Sequence, residues 1–295
     1  MKRFITFFLI FSLLLGGCGV SGPPAQIAAT TLPVYDFTIQ LCEGTGLTVT
    51  RLVTEEVSCL HDYALNVRQV QSAEAAELIV LSGAGLEEFM EDLLSDKKTV
   101  DASQGVALLR SQEAHDHGKA DSHDHEAHHH EEDPHIWLSP VNAKIMAQNI
   151  CRDLSRQYPQ HTEILEKNLA ELLNQLDALQ AYGEEQLSDL ACRDLITFHD
   201  GFSYFADAFG LTILEAVEEE SGSEASAKEL IHLIEDVEHH KLPAIFIEKS
   251  GSVSAAGIIA RETGCGSFAL DMAMTGDSYF DSMYHNINTI KEALG

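Results

Sequence analysis

Seven histidines, His115, His117, His123, His125, His128, His129 and His130, fall within sixteen residues. Asp116, Asp121, Asp124, Glu126, Glu131, Glu132 and Asp133 lie among and just after them. Imidazole, with an ordinary pKa of about 6.5, is mostly neutral at pH 7, and the neutral ring is a good ligand for zinc, copper or nickel. The carboxylates add attraction for a cation. The stretch has almost no apolar side chains, so it cannot build a core and reads as a mobile loop, residues 113–133, that chelates loosely and exchanges fast. The bland alternative is a solvated acidic linker rich in histidine.

Tight, selective binding needs ligands on a rigid frame, and four residues outside the insert sit where such a frame would hold them. In open α/β folds ligands gather beyond the carboxyl ends of the strands. His199 directly follows an expected strand, Leu195–Phe198, and Asp271 ends another, Ser267–Leu270. His61 follows Thr48–Thr54 by one short loop, and His135 lies where the insert rejoins a helix start, within Asp133-Pro134-His135-Ile136-Trp137-Leu138-Ser139-Pro140. That makes two candidates per half, at topologically equivalent places.

The elements that must position them follow from periodicity. Apolar runs at Ile27–Thr31, Thr48–Thr54, Leu78–Ser82 and Val106–Leu109 alternate with helical patterns at Val34–Glu43, Asn66–Glu77 and Leu86–Leu94. After residue 190 strands are expected at Leu195–Phe198, Thr212–Ala216, Ala244–Ile247 and Ser267–Leu270, with helices at Phe202–Phe209, Ala225–His240 and Val253–Thr263. Such alternation indicates parallel sheets covered by helices. Residues 141–188 read as helical except near Tyr158-Pro159, and Leu165, Leu169, Leu172, Leu173, Leu176 and Leu179 form one apolar stripe. The expected fold is α/β: two lobes, each a parallel sheet flanked by helices, joined by one long rigid helix. The divisions are 1–17 as signal peptide, 18–24 as lipid-anchored linker, 25–145 as the N-terminal lobe, 146–188 as the connecting helical segment and 189–295 as the C-terminal lobe.

Composition agrees with a soluble two-lobed protein. The 295 residues suggest about two domains at roughly 150 residues each. With 18 Lys+Arg against 47 Asp+Glu, the net charge of −29 excludes charge-driven binding to nucleic acid or anionic membranes. Met1-Lys2-Arg3 precedes the apolar run Phe4–Leu15, which is the form of an export signal and too short for a comfortable membrane span. Leu15-Gly16-Gly17-Cys18 resembles a bacterial lipobox, which implies lipidation at Cys18 and anchoring of the mature chain at the outer face of the cell membrane. Cys42, Cys59, Cys151, Cys192 and Cys265 form no CxxC pair, so a cysteine zinc site is not expected. Cys42–Cys59 and Cys192–Cys265 are conceivable disulfides in an exported chain, and small buried thiols are the equal alternative.

Over nearly its whole mature length the chain resembles the metal-binding lipoproteins of bacterial ABC transporters, the zinc and manganese receptors with a rigid interlobe helix. The resemblance rests on Cys59-Leu60-His61-Asp62-Tyr63, on the segment around His135 and on Phe198-His199-Asp200-Gly201-Phe202-Ser203-Tyr204-Phe205. It continues through Ile245-Phe246-Ile247-Glu248, Glu262-Thr263-Gly264, Leu270-Asp271, Tyr279, Met283 and Asn286. It implies a metal site in the interlobe cleft, with the ion held by His61, His135, His199 and Asp271, and histidine rather than carboxylate at the third position is the mark of the zinc receptors. Three imidazoles and one carboxylate suit tetrahedral Zn²⁺, whereas manganese favours more oxygen donors. The His-rich insert ahead of the second ligand is likewise a zinc-type feature. Departures occur around His61, flanked by Glu55-Glu56-Val57-Ser58-Cys59 and Ala64-Leu65-Asn66-Val67, and after Asp271, where Met272 replaces the family's proline. Glu248 is the alternative carboxylate or a partner to a bound imidazole, with Asp62 and Asp200 also placed to accept from a ring nitrogen.

The resemblance implies an extracellular receptor, expected to be monomeric, that delivers Zn²⁺ to an ABC permease. A manganese or other divalent-metal receptor of the same family is the alternative. A zinc hydrolase, the less favoured reading, would need an open coordination position and a general base. An adhesin role finds no interaction face in the sequence.

Overall fold

A computed structural model of the chain describes residues 25–57, 60, 63–110, 132–217, 226–249 and 253–295. The expected export signal, Cys18, Cys59, His61, Asp62 and the histidines of the insert lie outside these residues. The N-terminal lobe contains β1 (Ile27–Ala29), α1 (Leu32–Cys42), β2 (Val49–Arg51), α2 (Val67–Ala75), β3 (Leu78–Leu81), α3 (Glu91–Leu94) and β4 (Thr99–Asp101). Two helices follow, α4 (Pro140–Gln157) and α5 (Thr162–Gln186). The C-terminal lobe contains β5 (Asp194–Thr197), α6 (Ser203–Phe209), β6 (Thr212–Ala216), α7 (Ala227–His240), β7 (Ala244–Glu248), α8 (Ser254–Thr263), β8 (Gly266–Leu270) and α9 (Tyr279–Leu294). All strand pairs are parallel, and the sheets have the same order, β2-β1-β3-β4 and β6-β5-β7-β8. This is the expected α/β architecture of two helix-flanked parallel sheets and a long helix.

Parallel strands bury both faces, and alternate residues divide between two cores. Ile27, Ala29, Leu78 and Val80 point inward, as do Leu195, Ala244 and Phe246 from the other sheet, and all belong to one apolar core that runs through both lobes. The outer faces are separate: Ala28 and Ile79 pack with Ala73 and Met90, and Ile196 and Ile245 with Leu233, Val237 and Ile259. A core shared between lobes resists their separation more than a linker would.

Helix α5 passes through this shared core. It starts after Pro159, whose ring and missing N–H end the preceding helix at Gln157. Its 25 residues extend roughly 37 Å at 1.5 Å per residue. Leu165, Leu172, Leu176 and Leu179 are fully buried, while Leu169 and Leu173 lie at the margin of the stripe. Near its start Asn168 Nδ2 donates to the carbonyls of Leu41 and Glu43 at the end of α1, both at 2.9 Å. Near its other end Gly183 admits the ring of Phe209 from α6, and a Cβ there would fall 2.2 Å from Cε1. One helix therefore docks on both lobes.

Direct bonds also cross the interface. Leu32 N–H donates to Met274 O (3.0 Å), Arg51 Nη1 to Gly276 O (2.7 Å) and Tyr279 N–H to Asp36 Oδ2 (2.7 Å). Tyr279, at the start of α9 and fully buried, meets Phe37 of α1 edge to face at 5.0 Å.

The fourth strand corrects one sequence expectation. It is Thr99–Asp101, not Val106–Leu109. Val100 faces the core, and Asp101 Oδ1 accepts from Ser103 N–H (2.9 Å) and Oγ (2.6 Å), turning the chain out of the sheet. Val106 is buried as a loop residue, so its apolar character is real but not extended structure. The stretch Leu86–Leu94 is also not one helix; a 3-10 turn, Glu88–Met90, precedes the single turn of α3. Cys192 and Cys265 are free thiols, as are the buried Cys42 and Cys151.

Candidate metal centre

The two histidines described among the four expected ligands stand together. His135 comes from the N-terminal lobe and His199 from the C-terminal lobe, and their ring centroids are 5.2 Å apart at 83°. His135 is 2% exposed, and the side chain of His199 is 12% exposed.

Local sequence fixes His135 closely. Asp133 Oδ1 accepts from the His135 backbone N–H at 2.9 Å and lies 2.7 Å from ring Nδ1. A carboxylate can only accept, so Nδ1 carries the proton and Nε2 presents its lone pair. The next three residues, Ile136–Leu138, form a buried 3-10 turn. Trp137 Nε1 donates to Met272 O (2.8 Å) and Tyr279 Oη donates to Trp137 O (2.8 Å), so the C-terminal lobe clasps this turn from two sides. Ser139 Oγ then caps α4 at Asn142 N–H, with Pro140 at the first helical position.

The same segment closes the base of the His-rich insert. Asp133 N–H donates to Leu109 O at 2.9 Å, and Arg110 pairs with Glu132 in an antiparallel bridge. Tyr204 Oη, from the other lobe, accepts from Leu109 N–H and donates to Asp133 O, both at 2.9 Å. The insert thus leaves and returns at one point, two residues from His135.

His199 follows β5, and its Nδ1 lies 3.5 Å from Glu248 Oε1 at the end of β7. Glu248 is 4% exposed. Burial pushes its carboxyl up to about 8, and the carboxylate of Asp271 pushes in the same direction. Asp271 ends β8 in a backbone clamp, its N–H donating to Asn286 Oδ1 (2.8 Å) and its carbonyl accepting from Asn286 Nδ2 (2.7 Å). Its Oδ1 accepts from Ala273 N–H at 2.8 Å, and Oδ2 pairs with Lys249 Nζ at 3.4 Å. A cleft of about 30 Å³ opens here, lined by Glu56, Val57, Glu248, Lys249, Asp271 and Met272 among others. Asp271 and Glu248 thus line one cleft, and Glu248 in turn lies beside His199.

Two features of the centre were not legible as functional from residue type. Gly201 leaves no room for a side chain: a Cβ would lie 2.5 Å from Met272 Cε, 2.8 Å from His199 Cδ2 and 3.1 Å from His135 Nδ1. Asp133 was visible in the sequence only as one more acid at the end of an acidic run. Its signal is the spacing, two residues before a histidine with proline between. The equivalence of the two lobes also holds only loosely, because His199 follows the first strand of its sheet whereas His61 comes after the second strand of its own.

The chain flanking His61 is tied by a polar cluster. Glu55 accepts from Tyr63 Oη (2.8 Å), Asn66 Nδ2 (3.0 Å) and Gln69 Nε2 (2.8 Å), and Asn66 and Gln69 form the capping box of α2.

The family described as zinc-uptake complex component A, periplasmic (ZnuA), matches residues 27–293. The chain belongs to the ZnuA family. A zinc-binding lipoprotein, AdcA of Streptococcus pneumoniae, is 31% identical over 284 residues, covering 90% of this chain and 55% of AdcA. The ZnuA-family chain therefore spans about half the length of that relative. The crystal structure of the Zn(II)-bound ZnuA-like domain of S. pneumoniae AdcA superposes with a TM-score of 0.75 at 27% identity, over 91% of this chain and 98% of that one. A crystal structure of ZnuA gives 0.77 at 26% identity, over 92% and 100%.

Proposed function

We propose that the chain is an extracytoplasmic zinc receptor that hands Zn²⁺ to an ABC permease, and that His61, His135, His199 and Asp271 hold the ion between the lobes. The observation that carries this reading is the imidazole pair. Rings from opposite lobes meet at 5.2 Å, and each has a buried carboxylate on its Nδ1 side, the arrangement that orients histidines toward a metal. The similarity to zinc-binding AdcA supports zinc as the cargo. A set of four protein ligands captures without leaving a position for hydrolysis, so the protein is a carrier and not an enzyme.

The acidic surface and the histidines at 115, 117, 123, 125, 128, 129 and 130 collect the ion, the interlobe site selects it, and a lipid on Cys18 keeps the monomeric receptor at the membrane. Entry and release proceed by shifts of the chain near residue 61 rather than by a wide hinge, since the shared core and α5 hold the lobes together. Competitive zinc titration of the purified chain tests the assignment. The wild type is expected to hold one tightly bound zinc. His199→Ala should lose affinity well beyond the roughly 100-fold that follows loss of an outer partner. Unchanged affinity in His199→Ala would refute the site. Deleting residues 115–130 should leave the tight site intact.

A further inference from the structure

A second group of metal-type ligands lies on the outer side of the C-terminal lobe, away from the interlobe cluster. Glu215 of β6 and His232 and Asp236 of α7 each offer a ligand atom, and these atoms lie within 4.8 Å of one another. His232 Nδ1 is 3.4 Å from Glu215 Oε2 and 3.1 Å from Asp236 Oδ2. We propose that Glu215, His232 and Asp236 form a second divalent-metal site, which takes Zn²⁺ weakly with water completing its shell.

Three observations bear on the proposal. His232 and Asp236 are four residues apart, so they project from one face of α7 as a chelating pair. The third ligand is aimed by a break in the sheet. Pairing between β5 and β6 slips, with Leu195 opposite Ile213 but Ile196 opposite Glu215. Leu214 packs into the core beneath α7, and Glu215 reaches His232 of the same helix, so both successive side chains turn toward α7. Bulges re-aim side chains in this way. The carboxylates also lack a cation of their own: among the described residues neither forms an ion pair with Lys or Arg. Burial raises the Glu215 carboxyl, and the Asp236 carboxylate beside it adds to the rise, although His232 acts against it. Two acids held against one imidazole gain most from a doubly charged ion.

The side chains of His232, Glu215 and Asp236 are 64%, 37% and 31% exposed, so exchange with solvent is fast and the site suits capture rather than storage. Its place on the sheet is informative. Glu215 pairs with Ile196, three residues before His199 on the adjoining strand. The group thus sits near the carboxyl end of β6, on the lobe that carries His199.

A residue-specific readout is needed, because the His-rich insert also takes up zinc. Zn²⁺ is titrated into the purified full chain while the His232 ring resonances are followed by NMR, assigned by their loss in His232→Ala. The expected result is a saturable shift at zinc levels above those that fill the chelator-resistant interlobe site. Glu215→Gln should weaken that transition at least about tenfold, with the chelator-resistant zinc unchanged. A His232 ring that does not respond to zinc, or one that responds equally in Glu215→Gln, overturns the proposal without touching the interlobe assignment.

Discussion

His135 and His199 meet ring to ring from opposite lobes but are held in different ways. His135 is fixed by its own neighbourhood: Asp133, two residues earlier, takes both backbone and ring nitrogens with one oxygen at 2.9 and 2.7 Å. His199 depends on another strand, with Glu248 at 3.5 Å, an ion-pair distance rather than a hydrogen bond. The difference teaches that His135 is oriented by its own segment, whereas His199 meets its carboxylate on another strand only at ion-pair distance. Net attraction of a dication would favour ionised Glu248, which burial otherwise holds up to about 8.

Breaking the tighter pair should cost most. Asp133→Ala removes the acceptor that sets the tautomer of His135 and is expected to weaken zinc binding about 10–100-fold, measured by competition with a chelator. Gly201→Ala presses on both histidines at once and on Met272. A loss of roughly 1–3 kcal/mol of stability is expected from such overpacking, with zinc affinity falling about tenfold, by thermal unfolding and titration. Glu248→Gln should be milder, under about tenfold in affinity. A loss equal to that of Asp133→Ala would show that the two pairs are equivalent after all.

The smallest effect on zinc is expected from a third buried carboxylate, Glu87. It accepts from Thr30 Oγ1 (2.6 Å), Ser82 N–H (2.7 Å) and Gly83 N–H (3.0 Å), yet burial still pushes it up to about 7. With the folded value above the ordinary 4.5, stability is full below about pH 4.5 and falls as pH rises toward 7, because only the unfolded chain ionises freely there. The loss is on the order of 3 kcal/mol. Denaturant unfolding of metal-free chain between pH 4.5 and 7 should show this decline, reduced in Glu87→Gln, with zinc affinity unchanged at fixed pH.

Much of the fold was legible because parallel strands buried on both faces must read as short apolar runs; Thr212–Ala216 is observed over the expected residues. The long leucine stripe likewise marked α5. The failure at β4 is instructive: a three-residue edge strand needs only Val100 buried, so Thr99-Val100-Asp101 carries too little pattern to outweigh the apolar Val106–Leu109. At the centre, His135 and His199 could be named from their places at the ends of elements, and Glu248 as a partner. Gly201 could not, because its role is the absence of a side chain at a contact between distant segments. Nor could the crossed Nε1–Met272 bond of Trp137, which depends on how the lobes dock.

The most direct test is diffraction from zinc-loaded crystals of the chain, with the ion located by its anomalous signal after loosely held metal is removed by chelator. The account predicts one zinc about 2.0–2.2 Å from ring nitrogens of His135 and His199, with His61 and Asp271 completing the shell. An ion bound elsewhere, or one touching only one of the two lobes, would contradict it.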